Sequence, residues 1–276
     1  MAASLLMLTD YFQPASPALD YAAALAGPLG ARLVLLHVQP NSVTDPERLT
    51  GELAGLSTEA VSRAFAGLAR GLSVPAVAEV GYGRVADAVA AAVRRHQPTM
   101  LVLDRAAPDE LPDELTTTTA LDILRAAPYP MLVVPPAYRQ AGAPRRVLLA
   151  ADGGPFSLGI HAGAMRQLLS ALPAALTVLH VAGPDTPAAA MAGALESVRR
   201  AGLSVDLPPP IRTRSVRGAQ PAAAILRVAR PTAYDLLVLI ARPRSFLGEL
   251  FHHSVTAEVL QRSTVPVLVL MATPQA

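Results

Sequence analysis

The stretch Ile240–Ser254, "IARPRSFLGELFHHS", gathers two arginines, two histidines and two serines. It follows a run that reads as a buried strand and precedes one that reads as a helix. In nucleotide-binding α/β proteins, phosphates are held at that junction, on backbone N–H groups at a helix N-terminus. Arg242 and Arg244 carry the charge to reach phosphate oxygens, and His252, His253 and Ser254 lie near the expected helix start. Against this, the stretch has a single glycine, and Pro243 removes an N–H and fixes φ. Two readings stay open: an anion site in which side chains replace backbone donors, or a surface loop whose arginines are solvated.

An earlier stretch, "DRAAPDELPDELTTTT", sits at a similar junction with the opposite charge. It sets Asp104, Asp109, Glu110, Asp113 and Glu114 against Arg105. At close range each carboxylate opposes a polyphosphate unless a metal intervenes. Such a cluster can hold a divalent cation, but a solvated acidic loop is the plainer reading. His37 and His180 end equivalent runs, which points to a shared packing or hydrogen-bonding role. His96 and His161 stand alone. "GYGRVA" (Gly81–Ala86) superficially resembles a phosphate loop, but its place after a strand makes it a plain strand-to-helix turn. No nucleophile elbow or G-x-x-x-x-G-K-[ST] motif occurs.

These residues are positioned by an internal repeat. "LLMLTD" (Leu5–Asp10) is matched by "VLLAAD" (Val147–Asp152), and "LVLLHV" by "LTVLHV". "MLVLDR" is matched by "LLVLIA", and "ILRAAPYPMLVV" by "VLQRSTVPVLVL". With the Ala/Leu-rich helical pattern after the first pair, five segments recur in one order. A unit of about 140 residues has been duplicated. Domains are expected over 1–138 and 145–276, joined by the proline-containing linker Pro135–Arg146.

Within each unit, short Leu/Val runs alternate with longer helical segments. This predicts a parallel sheet covered by helices on both faces. Strands are expected at Leu5–Leu8, Leu33–His37, Ala76–Glu79, Met100–Leu103 and Met131–Val134. In the second unit they fall at Val147–Ala150, Leu176–His180, Ile211–Ser215, Leu236–Leu239 and Val267–Leu270. Helices include Gly83–Arg95 and Pro221–Ala229, and Asn41–Arg70 and Gly183–Gly202 read as partly helical.

Composition narrows the function classes. The chain has 276 residues, 52% hydrophobic and 16% charged, with a formal net charge of +2 and no cysteine. Disulfides and thiolate catalysis are excluded, in keeping with a reducing cytoplasm. The small net charge gives no reason to expect nucleic acid or an anionic membrane as partner. The N-terminus lacks the pattern of a signal peptide, and no run approaches the roughly 20 apolar residues of a membrane span.

With the ordered repeats in place, each half resembles a universal stress protein domain. The marks are an Asp after the first strand, Leu-His-Val ending the second, and an "LRxxPxPxLVV" pattern near the end. The resemblance implies two tandem five-stranded Rossmann-like parallel sheets of order 3-2-1-4-5. It also implies an internal pseudo-dimer formed by pairing Met131–Val134 with Val267–Leu270, which removes two apolar edges. Family members that bind ATP carry G-x2-G-x9-G-[ST] after the fourth strand. Here the three glycine positions fall on Ile240, Pro243 and His253 in the second half, and only Ser254 matches. In the first half they fall on Asp104, Ala107 and Thr117, with Thr118 last. Asp10 and Asp152 match the family's Asp near adenine and ribose, and Val38 and Val181 match the position whose backbone faces the base. Either Asp can equally cap the turn into the first helix.

The resulting expectation is a cytoplasmic, bacterial, non-enzymatic stress-response or regulatory module with degenerate nucleotide loops and no required cofactor. It would act through an unidentified protein partner or small ligand, or as a homo-oligomer. The rival is an ATP or other adenine-nucleotide binder, or slow ATPase, using Asp152, Val181, Arg242, Arg244 and Ser254.

Overall fold

The computed structural model describes residues 3–9, 16–39, 58–105, 113–140, 142–183, 190–205, 211–242 and 254–273. In the first half, β1 (Ser4–Leu8) leads to α1 (Pro17–Leu29), then β2 (Arg32–Gln39), α2 (Thr58–Arg70) and β3 (Ala76–Tyr82). α3 (Val85–His96), β4 (Met100–Asp104), α4 (Asp113–Ala126) and β5 (Met131–Val134) complete it. The second half runs β6 (Arg146–Ala150), a 3₁₀ turn at Gly159–His161, α5 (Ala162–Ala171), β7 (Ala175–Ala182) and α6 (Ala190–Arg200). It continues through β8 (Arg212–Arg217), α7 (Pro221–Val228), β9 (Leu236–Ala241), α8 (Val255–Arg262) and β10 (Val267–Met271).

All ten strands form one sheet, ordered β3-β2-β1-β4-β5-β10-β9-β6-β7-β8. Counted within each half, the order is 3-2-1-4-5 twice. Neighbours within a half run parallel, while β5 and β10 pair antiparallel, with Val133 opposite Val267 and Met131 opposite Val269. The two halves thus share one continuous sheet rather than stacking two separate ones. The inner strands are Leu/Val runs because both faces are covered, whereas the edge strands β3 and β8 are less buried and more polar. One face packs Leu5, Leu33, Leu35, Phe65, Leu149, Val178 and Val198 in a single cluster. The other packs Leu6, Leu36, Val89, Leu121, Leu148, Ile225 and Val259.

Several strands run further than the apolar runs suggest. β3 continues to Tyr82 and β9 to Ala241, because a strand ends where its ladder ends, not where its hydrophobicity does. α1 is bounded by local chemistry: the Ser16 side chain accepts from Leu19 N–H, Pro17 opens the first turn, and Gly30 closes it at φ +56°. At "GYGRVA", a Cβ on Gly81 would lie 3.0 Å from the Ala88 Cβ. That glycine permits close strand–helix packing and the segment is a turn into α3. No helix among the described residues is long and apolar enough to cross a membrane.

At the pole of the sheet opposite the strand C-termini, the halves meet at one residue, Asp235. Asp235, 1% exposed, accepts from the Arg145 and Arg146 backbone N–H groups, both at 2.9 Å. The Arg146 guanidinium closes on its other oxygen, at 3.1 Å from Nε and 2.5 Å from Nη2. The hydroxyls of Tyr21 and Tyr138 reach the Asp235 carbonyl at 3.0 and 3.2 Å, with the rings edge to face. Burial pushes both phenols up, that of Tyr138 to about 12. The linker is therefore pinned to the second half by hydrogen bonds to Asp235 and meets the first half through the Tyr21–Tyr138 ring contact.

Candidate functional site

In open α/β sheets a ligand crevice forms at the strand C-termini where the strand order reverses. In this molecule that place lies between β1 and β4 and again between β6 and β9. In the second half, Asp152 follows β6 and Arg242 follows β9, so the topology brings them together. Arg242 grips Asp152 as a two-pronged fork, Nε to Oδ2 at 2.8 Å and Nη2 to Oδ1 at 2.7 Å. Nη2 also donates to the Gly154 carbonyl at 2.9 Å and Nη1 to the Pro155 carbonyl at 3.0 Å. The loop after β6 thus wraps the guanidinium with one carboxylate and two carbonyls. A Cβ at Gly154 would lie 2.6 Å from Arg242 Nη2, so a larger residue there would have to displace the guanidinium.

The fork fixes the electrostatics. Partial burial alone would raise the Asp152 carboxyl, but its hydrogen bond and ion pair with Arg242 outweigh this and hold it below the usual carboxylate range. Asp152 Oδ1 also accepts from Gly154 N–H at 3.0 Å, so the turn-capping role expected of this residue is present as well. Arg242 was a candidate for phosphate oxygens; its guanidinium is instead engaged with the chain's own loop. Ser254 caps α8, its hydroxyl accepting from Ala257 N–H at 3.0 Å. Val181 is half-buried on β7, one residue beyond His180. Arg244, Pro243 and His253 lie outside the described residues.

Behind this loop stands a feature the sequence does not announce. His180 is 4% exposed, and its Nδ1 lies 3.1 Å from the Ala151 carbonyl. A carbonyl only accepts, so Nδ1 donates this bond. Nε2 is buried without a hydrogen-bond partner among the described residues. The ring lies beside Gly153 (φ +88°), against the first turns of α6.

The first half closes its crevice differently. Ser16 Oγ donates to Asp104 Oδ2 at 2.5 Å, and Ala18 N–H donates to Asp104 Oδ1 at 3.3 Å. A carboxylate from the end of β4 therefore occupies the N-terminus of α1, where the helix dipole favours negative charge. His37 repeats the role of His180, with Nδ1 3.4 Å from the Thr9 carbonyl, and packs against Phe65. Val38 is half-buried at the end of β2. Asp10, Ala107, Asp109 and Glu110 lie outside the described residues. No group of three or more His, Cys, Asp or Glu among the described residues is arranged to hold a metal.

Each crevice holds a polar contact made by the chain's own side chains. In one, the Asp beside the expected ribose is taken by Arg242; in the other, Asp104 sits at the helix start. The Asp104–Ser16 contact is not legible in the sequence because 88 residues separate a loop serine from a strand-end aspartate, and no motif links them. The Asp152–Arg242 pair was visible as two candidates but not as each other's ligand.

The universal stress protein family model matches residues 1–135 and again residues 144–270. A universal stress protein of Archaeoglobus fulgidus superimposes with a TM-score of 0.64 at 16% identity, over 99% of this chain and 97% of its own. A Pseudomonas aeruginosa structure described as a universal stress protein gives 0.66 at 17%, over 99% and 94%. The cytoplasmic domain of a prokaryotic cation chloride cotransporter gives 0.57 at 13%, over 98% and 95%. At these identities the likeness is one of fold. Among curated proteins none matches.

Proposed function

The chain belongs to the universal stress protein family in both halves, and from that premise we propose that it is a non-enzymatic regulatory module of the cytoplasm. It works by engaging a partner or small ligand in a stress response, and it neither requires nor hydrolyses a nucleotide. The observation that carries this reading is the closure of both crevices by the protein's own side chains, Arg242 on Asp152 and Asp104 on the start of α1. A triphosphate entering either crevice would have to displace charge-assisted hydrogen bonds and has no glycine loop to receive it. Calorimetric titration with ATP and Mg²⁺ tests this. No binding is expected at micromolar protein; micromolar binding that disappears in Arg242→Ala/Arg244→Ala overturns it.

One observation favours a second reading, an adenine-nucleotide binder or slow ATPase in the second half. His180 Nε2, unpartnered among the described residues, lies beside the Asp152 loop. Buried polar groups are seldom left unsatisfied, and a ligand is one way to satisfy this one. In that reading Arg242 releases Asp152 to a ribose, Val181 faces the base, and Arg244 and Ser254 meet phosphate.

A further inference from the structure

β8 is the outermost strand at one end of the ten-stranded sheet. Its inner side pairs with β7, and just past its end Gly218 N–H donates to the Ala182 carbonyl at 3.1 Å. Backbone direction alternates along a strand, so Arg212, Arg214 and Val216 turn their N–H and C=O groups toward β7. Thr213, Ser215 and Arg217 turn theirs outward. Residues 212 to 215 are all exposed, so this row of donors and acceptors is open to solvent. Side chains alternate as well: Arg212 and Arg214 share the face of Val216, which packs on the core, and Arg217 stands on the other. None of these three guanidiniums has an ion-pair partner among the described residues. Arg95, Arg125, Arg146, Arg200, Arg242 and Arg262 each have one.

An open edge with this charge selects its occupant. A second copy's β8 would bring arginines against arginines, which cross-strand repulsion disfavours. A nucleic acid could meet the guanidiniums but would leave the edge N–H and C=O groups unpaired. An extended acidic peptide satisfies both: its backbone completes the ladder and its carboxylates meet arginine forks. We propose that the β8 edge is the docking strand for an extended, acidic segment of a partner protein. The segment adds as an eleventh strand beside Thr213 and Ser215 and is held by Arg212, Arg214 and Arg217. This is independent of how either crevice is occupied.

The test uses the full chain and a fluorescein-labelled peptide alternating glutamate with valine and threonine, followed by anisotropy and amide hydrogen exchange. The wild type binds, and amide exchange slows at Thr213 and Ser215. Arg212→Glu/Arg214→Glu weakens binding about tenfold or more. Thr213→Pro, which removes an outward N–H without changing charge, weakens it to a similar degree. No binding by the wild type at low salt overturns the proposal. So does undiminished binding by a folded Thr213→Pro chain, or binding without protection of those amides. Equally tight binding of a single-stranded oligonucleotide that leaves the amides unprotected also overturns it. The wild-type exchange measurement keeps the test decisive should the proline variant fail to fold.

Discussion

The two crevices descend from one repeated unit and are closed with opposite charges. In the first half a carboxylate leaves the fourth strand and sits on a helix start. In the second half a guanidinium follows the fourth strand and is wrapped by the loop after the first. The shared requirement is that the strand-order reversal leaves polar backbone and an exposed loop facing each other. Where the motif glycines are absent, a charged side chain from across the gap partners the facing loop or helix start. Either sign serves, provided the facing group complements it.

The two halves differ equally at the far pole, and there the largest effect is expected. Asp235 stands where the first half has Thr99. Asp235→Ala removes the partner of two backbone N–H groups and of Arg146, and should cost about 3 kcal/mol in chemical denaturation. Thr99→Ala should stay within about 0.5 kcal/mol. Burial acts to raise the Asp235 carboxyl, but the Arg146 and Arg145 hydrogen bonds hold it low. A carboxylate depressed on folding stabilises fully above its unfolded value of about 4 and loses this as pH falls through its folded value. In Asp235→Asn that part of the acid-side slope should be missing.

The next contrast lies in two serine caps. Ser16 and Ser254 each cap a helix, but Ser16 also donates to Asp104. Ser16→Ala should cost about 2 kcal/mol, because it removes a cap and a partner of the carboxylate, and Ser254→Ala about 1 kcal/mol. Equal losses would mean that Asp104 contributes nothing to closing the first crevice. A small effect is expected of Arg242→Ala. Its ion pair with Asp152 is largely exposed, with side-chain exposures of 34% and 63%, so thermal unfolding should register about 0.5–1 kcal/mol or less. A clear loss of stability there would make the pair a structural brace rather than the closure of a crevice.

Much of the fold was legible because buried parallel strands must be continuous apolar runs, and "VLLAAD" and "LLMLTD" repeat that requirement at one spacing. The pairing of Arg242 with Asp152 was not legible. Their ninety-residue separation closes only through the strand order, and either residue alone reads equally well as a ligand contact. The unpartnered His180 nitrogen was hidden for a similar reason. Its repetition with His37 reveals a shared bond to the loop after the first strand, but the second nitrogen's surroundings depend on Phe65 in one half and on Gly153 and α6 in the other. The order 3-2-1-4-5 already puts the third strand, expected at Ile211–Ser215, at the sheet edge, but which of its residues are exposed shows only in the structure.

Closure of the second crevice is read most directly from the Arg242 Nε–H resonance in ¹⁵N NMR. Held by Asp152, it should appear as a resolved, slowly exchanging signal that keeps its position when Mg²⁺ and ATP are added in excess. A signal that exchanges as fast as those of Arg212 and Arg214, or that shifts in step with added ATP, would contradict the account.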